Sequence, residues 1–512
     1  MRQLLVAATG SSVAVALSAA LMSGPSAGAV PPAGAAPLPD GAPAGPDLAR
    51  LVTLKAIRRH LAAFQEIADY NGGNRAVGRP GFDVSVQYVV GRLRRAGYKP
   101  VVQRFTFPYW REKSAAALAR TAPHQAAYKR EHDFLTLTYS GSGDVTGRVT
   151  AVDVPASGVG TSGCEAADFK GFPKGGIALL QRGACTFQSK ASKARAAGAA
   201  AVLIYNRPGE KGPIDGTLER PQAVPVLGIT NRLGAEMAKE AKKGGLKVRV
   251  KTDVAQGRKP ATNVVADTAQ GRADNVVLLG AHLDSVRKGP GINDNATGVS
   301  TLLTIAEKIG ALGAKGLRNR VRFAWWGAEE EGLRGSGHYV RGLSDADRGK
   351  IALNLNFDML GSVNGTRGVY DGDHSRRTGT RPPAGSGAIE KIFRDYFASR
   401  HLPTTESEFN GRSDYGPFIE KGIPAGGIDT GAEALKTAEE AKTFGGKAGK
   451  AYDPCYHAKC DRLKNVDLKL LNTNADAIAF VTQRLAGLAA EGLGLLGRLQ
   501  RLGAGVDAAG RD

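Results

Sequence analysis

Cysteine is scarce in this chain: Cys164, Cys185, Cys455 and Cys460 are the only four among 512 residues. Neither close pair has the C-x-x-C spacing of a structural zinc site, which excludes that class. The four fall in two separate segments, and an even number in an exported chain implies disulfides. Local pairing of Cys164 with Cys185 and of Cys455 with Cys460 is therefore expected. Long apolar runs are missing too. Beyond residue 29 no stretch approaches ~20 apolar residues, so no membrane span is expected in the mature protein. Also missing are basic clusters with interleaved aromatics. The formal charge is +21, but Lys and Arg are scattered, with short groups such as Lys239, Lys242 and Lys243 on solvated helical faces. A nucleic-acid function is not expected on that pattern. No loop has EF-hand spacing, so calcium finds no support in the residues.

What is present describes an exported globular protein. Hydrophobic residues make up 42% and charged residues 23% of the chain, and its length suits two or three domains. Residues 1–29 read as a signal peptide: Arg2, an apolar stretch from Leu4 to Leu21, then an Ala27-Gly28-Ala29 cleavage site. Residues 30–45, rich in Pro, Ala and Gly, read as a flexible leader. Helical periodicity follows at Leu51, Leu54, Ile57, Leu61, Phe64 and Ile67, and again from Val84 to Ala96, before a strand at Pro100 to Phe107.

Around residue 113 the pattern changes to short strands separated by Gly-rich turns, with one helix from Phe187 to Ala197. From about 258 strands and helices alternate: strand Asn275 to Gly280, helix Gly298 to Leu312, strands Val321 to Trp326 and Ile351 to Phe357. Such alternation predicts an α/β fold with a mixed, mostly parallel central sheet flanked by helices. Its chain, 46–112 and 258–490, is interrupted by a β-rich insert, 113–257, and followed by a tail, 491–512.

The chemistry-bearing residues stand at strand ends. The first strand runs into His282-Leu283-Asp284, and Asp294 follows in a Gly-bounded turn that starts a helix. The second strand ends in Gly327-Ala328-Glu329-Glu330-Glu331-Gly332 and the third in Asn356-Phe357-Asp358. His457 sits inside the short Cys455–Cys460 loop. Alone, Asp294 is an ordinary helix cap, and three glutamates are an ordinary solvated face. Delivered together to one sheet edge, two histidines and three carboxylates are what a pair of zinc ions needs. A further carboxylate, Glu329 beside Glu330, is what water activation needs.

These motifs resemble the secreted bacterial di-zinc leucine aminopeptidases of metallopeptidase family twenty-eight. The likeness lies in Ala-His-Leu-Asp-Ser, Gly-Ile-Asn-Asp-Asn-Ala-Thr-Gly, Trp-Trp-Gly-Ala-Glu-Glu-x-Gly-Leu-x-Gly-Ser, Asn-Phe-Asp-Met-Leu-Gly-Ser and Asp-Pro-Cys-Tyr-His-x-Lys-Cys, in that order. The resemblance implies two zinc ions. His282 and Asp358 would hold one, Glu330 and His457 the other, and Asp294 would bridge them. It further implies Glu329 as general base, Tyr456 as oxyanion donor, Asp284 orienting His282, and Arg412 at the substrate. Calcium is known in the family, without support here. Peptide and protein substrates with free amino termini, a monomer, and no nucleic-acid or membrane partner complete the expectation. The insert resembles a protease-associated domain through Gly175-Gly176-Ile177-Ala178-Leu179-Leu180-Gln181-Arg182-Gly183, Cys185-Thr186-Phe187 and Ala196-Ala197-Gly198-Ala199-Ala200-Ala201-Val202. It would wall or lid the cleft, or be a passive insert. Two other readings stand beside the aminopeptidase. One is a carboxypeptidase or dipeptidase on the same di-zinc site. The other is a metal-free binding protein, which the complete ligand set opposes.

Overall fold

Helical spacing of apolar residues builds the first layer. Helix Leu54–Tyr70 is started by the Thr53 side chain, which accepts from the Ala56 amide, and it buries Ile57, Leu61, Phe64 and Ala68. Helix Pro80–Arg95 begins at a proline, whose missing N–H costs nothing in the first turn, and buries Phe82, Val89 and Leu93. Each such side chain contributes about 1.5–3 kcal/mol when fully buried. The computed structural model describes residues 47–155, 158–313 and 317–487. The expected signal peptide, leader and tail lie outside the described residues. No helix among the described residues is long and apolar enough to cross a membrane.

Among the described residues fourteen strands follow in chain order: β1 Val101–Ala122, β2 Ala126–Ala127, β3 Phe134–Thr136, β4 Gly143–Ala151, β5 Ile177–Gln181, β6 Ala201–Tyr205, β7 Val226–Ile229, β8 Lys247–Asp267, β9 Arg272–His282, β10 Asn319–Trp326, β11 Ile351–Phe357, β12 Gly368–Tyr370, β13 Thr405–Ser407 and β14 Ala425–Asp429. They lie in the order β13-β12-β14-β11-β9-β10-β8-β4-β5-β6-β7-β3, with β1 along β8 and β2 on β1. Strands β10, β9, β11 and β14 are mutually parallel, whereas β8 and β12 join antiparallel. The sheet is thus mixed and mostly parallel, and helices cover it.

Two strands are far longer than their local patterns announce. The expected strand at Pro100 to Phe107 is the first part of β1, which continues to Ala122 paired antiparallel with β8. One edge of β8 follows β1 throughout. Its other edge pairs with β4 at Gly143–Arg148 and with β10 at Arg322–Trp325. A two-stranded arm therefore runs through both expected insert boundaries. The register slips between Glu112 and Ser114, a bulge of the kind that bends a strand pair.

The insert is less purely β than its turn-rich sequence implies. Strands β4, β5, β6 and β7 are parallel, and helices Phe187–Ala196 and Asn231–Lys243 pack against them. Every residue of β5, β6 and β7 is buried, as in a sheet covered on both faces. Period-2 alternation sends Ile177 and Leu179 into one apolar cluster and Ala178 and Leu180 into another.

Candidate metal centre

Because β9, β10 and β11 are adjacent and parallel, their carboxyl ends open on one edge, the usual place for a site in such sheets. His282 ends β9, the Glu329–Glu330 loop follows β10, and Asp358 follows β11. The His282 Nε2 lies 3.1 Å from Asp294 Oδ1 and 3.2 Å from Asp358 Oδ1. On the other side, His457 Nε2 lies 3.3 Å from Asp294 Oδ2 and 3.0 Å from Glu330 Oε2. The structure brings all five expected donors together as two triads that share Asp294, one oxygen to each.

Donors ~2.0–2.2 Å from a tetrahedral zinc stand about 3.3–3.6 Å apart, close to the spacings seen. The other Glu330 oxygen, Oε1, is buried with no hydrogen-bond partner, a costly state that a cation relieves. The residues fit a pair of zinc ions. With the donors alone, burial opposes charge on both histidines, but the surrounding carboxylates outweigh it and raise His282 well above, and His457 to about 10. Burial likewise opposes ionisation of Asp294, yet the two histidines pull it below the usual carboxylate range.

The loops are held by polar side chains flanking the donors. Asp294 lies in the turn Ile292–Ala296, and its neighbours hold the adjoining strand end. Asn293 accepts from the Gly361 amide (3.0 Å) and donates to Ser362 and Asp453. Asn295 accepts from the Gly298 and Met359 amides and donates to the Phe357 carbonyl. Asn295, not Asp294, accepts from the Gly298 amide at the start of helix Thr297–Ala311, which leaves the Asp294 carboxylate to the centre. Gly298 is required by close approach, since a Cβ there would stand 2.5 Å from the Phe357 carbonyl oxygen.

Two residues without any sequence signal complete the frame. Asp461, just after Cys460, accepts from the Asn293 amide at 2.7 Å and the Asp294 amide at 3.1 Å, tying the His457 loop to the Asp294 turn. Arg75 is fully buried and donates to the carbonyls of Leu283, Pro290 and Gly291. Burial lowers its guanidinium to about 10 against the opposing pull of Asp284, Asp461, Asp294 and Glu330. One cation thus faces several of the acids from below.

Asp284 meets His282 chiefly through its backbone. The His282 Nδ1 donates to its backbone carbonyl at 3.2 Å, while its carboxylate stands 3.8 Å from that nitrogen. The carboxylate accepts instead from the Glu329 amide at 3.1 Å. Burial pushes the Glu329 carboxyl well above its usual range, with Glu330, Asp414 and Asp358 adding to it and His282 opposing. Asp414 is buried beside the site, and burial raises it to about 7. Ser413 donates to Asp358 Oδ2 at 2.6 Å.

The Cys455–Cys460 and Cys164–Cys185 bonds are both formed. The Tyr456 ring stacks on His457 with centroids 3.8 Å apart, and its hydroxyl accepts from Arg412 Nη2 at 3.2 Å. Arg412 is held by Glu433 at 2.7 Å. His338, by contrast, lies on helix Arg334–Arg341 stacked on Phe105, away from the centre. A second acidic group, Asp371, Asp373 and Glu390, accepts from nearby backbone amides and from Arg394.

Two sequence profiles match the chain: Peptidase family M28 over residues 263–482 and the PA domain over 145–237. An aminopeptidase from Pseudomonas aeruginosa is 44% identical over 447 residues, covering 86% of this chain and 82% of that protein. The chain belongs to peptidase family M28. A probable leucine aminopeptidase 2 of Aspergillus fumigatus is 40% identical, with 82% of each chain covered. Among solved structures, the aminopeptidase from Aneurinibacillus sp. strain AM-1 superposes with a TM-score of 0.61 at 26% identity, over 86% of this chain and 96% of that one. A zinc aminopeptidase from Bacillus subtilis shares the fold, with a TM-score of 0.51 at 23% identity over 84% and 94% of the chains. The M28 profile covers every expected donor, and the PA profile lies wholly within the expected insert.

Proposed function

We propose that this M28 peptidase is an exported di-zinc aminopeptidase that removes large hydrophobic residues from the amino termini of peptides and proteins. The observation that carries the reading is the pair of donor triads sharing the two oxygens of Asp294. In it, His282, Asp358 and Asp294 would hold one zinc, and His457, Glu330 and Asp294 the other. Bound zinc supplies a water acidic enough to ionise near neutral pH and polarises the scissile carbonyl.

The protein's own groups do the rest. Glu329 accepts the attacking water's proton and returns it to the leaving amine. Tyr456 donates its hydroxyl to the developing oxyanion, and burial beside Asp294 and Glu330 keeps that hydroxyl protonated. Arg412, fixed by Glu433, steadies Tyr456 and the substrate backbone. A relative named as an aminopeptidase favours that reading over a carboxypeptidase, and relatives named leucine aminopeptidase support the hydrophobic preference. The two disulfides fit export to an oxidising compartment.

A panel of aminoacyl-anilides and a peptide offered free and amino-terminally acetylated test the reading. Leu, Phe and Met anilides are expected to turn over fastest, and the acetylated peptide to resist. Equal cleavage of the acetylated peptide would contradict it.

A further inference from the structure

The loop from Glu329 to Leu333 is bounded by two non-glycine residues in the left-handed region, Ala328 (φ 61°) and Leu333 (φ 54°). Such backbone persists only where its surroundings over-determine it. From inside the peptidase fold, Asp284 holds the Glu329 amide. Two further tethers come from the arm and the insert. Lys259, on β8, donates to Glu331 Oε1 at 2.9 Å, and its ammonium sits 3.3 Å above the Tyr109 ring of β1. Arg334 donates through Nε to the Glu331 carbonyl at 2.8 Å and through Nη2 to the Tyr139 hydroxyl at 3.0 Å. Tyr139 belongs to the insert, between β3 and β4. It is 5% exposed, itself left-handed (φ 69°), and its hydroxyl donates onward to the Pro108 carbonyl on the arm. Trp110 of the arm donates to the Ser140 carbonyl at 2.7 Å beside it.

We propose that the insert and the arm that carries it position the catalytic loop, with Tyr139 of the insert acting through Arg334, and Lys259 of the arm through Glu331, to set where Glu329 and Glu330 stand. The proposal gives the insert a part in catalysis although it supplies no group that touches substrate. It rests on the reading of Glu329 as the proton acceptor. A hydrogen bond from a charged donor to a buried hydroxyl is strong enough to fix a side chain. A displacement of the base by about 1 Å costs as much as ~100-fold in rate. The two tethers meet at Glu331, whose carboxylate is held by Lys259 and whose carbonyl is held by Arg334.

Tyr139→Phe removes only the hydroxyl and keeps the ring. It is expected to lower kcat on a leucyl anilide by about tenfold, the scale of one hydrogen bond to a charged group. KM, zinc per chain and the thermal midpoint should stay near wild type. Arg334→Lys, read the same way, reaches the contact from the other side. Because both act through one contact, the double variant should be no slower than Arg334→Lys alone. Wild-type kcat in Tyr139→Phe would overturn the proposal. So would losses that multiply in the double variant, or a loss of zinc or stability that accounts for the whole fall in rate. These outcomes leave the role of Glu329 standing, because that role is tested separately by Glu329→Gln.

Discussion

Strand β8, antiparallel to its neighbours, joins two parallel stretches of the sheet, and only one of them carries the proposed chemistry at its strand ends. In the insert, β5 ends in Gln181 and Arg182. Gln181 is satisfied by Gly158 and Gly160, and Arg182 by Asn206 and Glu210. In the peptidase sheet, the equivalent ends carry His282, Glu329, Glu330 and Asp358, and buried Glu330 Oε1 and Asp284 Oδ2 have no partner. The local architecture is similar; what differs is whether the polar groups at the edge satisfy one another. A fold of this kind offers a site, and the residues at its edge decide whether it is used.

The largest expected effect that bears on this contrast is that of Glu329→Gln. The amide cannot accept a proton while the five donors remain, so kcat should fall by ~100- to 10,000-fold with zinc retained. A fall of less than about tenfold would remove Glu329 from its role. Tyr456→Phe should cost less than the ~100- to 1,000-fold of an unaided oxyanion donor, because the metal shares the charge. Its zinc content should not change, and an unchanged kcat would take the hydroxyl out of the mechanism.

The two disulfides sharpen the same comparison. Cys164–Cys185 spans 21 residues and Cys455–Cys460 spans 5. Replacing the first pair by serine should cost about 3 kcal/mol of stability by the loop-entropy relation, with turnover intact when folded. Replacing the second should cost less stability by that relation, yet weaken zinc retention and turnover, because that loop presents His457. The reverse pattern in denaturation and metal analysis would show the roles misassigned. The smallest effect is expected of Arg182→Ala at the insert's strand ends. An exposed ion pair is worth about 0–1 kcal/mol, and kcat on a leucyl anilide should not move.

How much of this was legible beforehand depends on sequence distance. His282, Glu330 and Asp358 announce themselves because strand patterns lead straight into them, and parallel strands open on one edge. Asn293 and Asn295 were visible only as company for Asp294. Arg75 was silent: its contacts are with residues some 200 positions away, such as Gly291 at a separation of 216. Asp461 was silent for the same reason, 168 positions from Asn293. Strands β1 and β8 outran their local patterns because each gains its pairing from the other across the whole insert, which no local window contains. Tyr139 lies in a turn whose left-handed backbone has no glycine to mark it.

In the proposed site Asp294 joins two metal positions in one active centre. The direct measurement is zinc titration of chelated protein, following leucyl-anilide hydrolysis and bound metal together. Activity should be absent without metal and should reach its full value only as two zinc ions bind per chain. Full activity with a single bound zinc, or activity that survives complete removal of metal, would contradict the account.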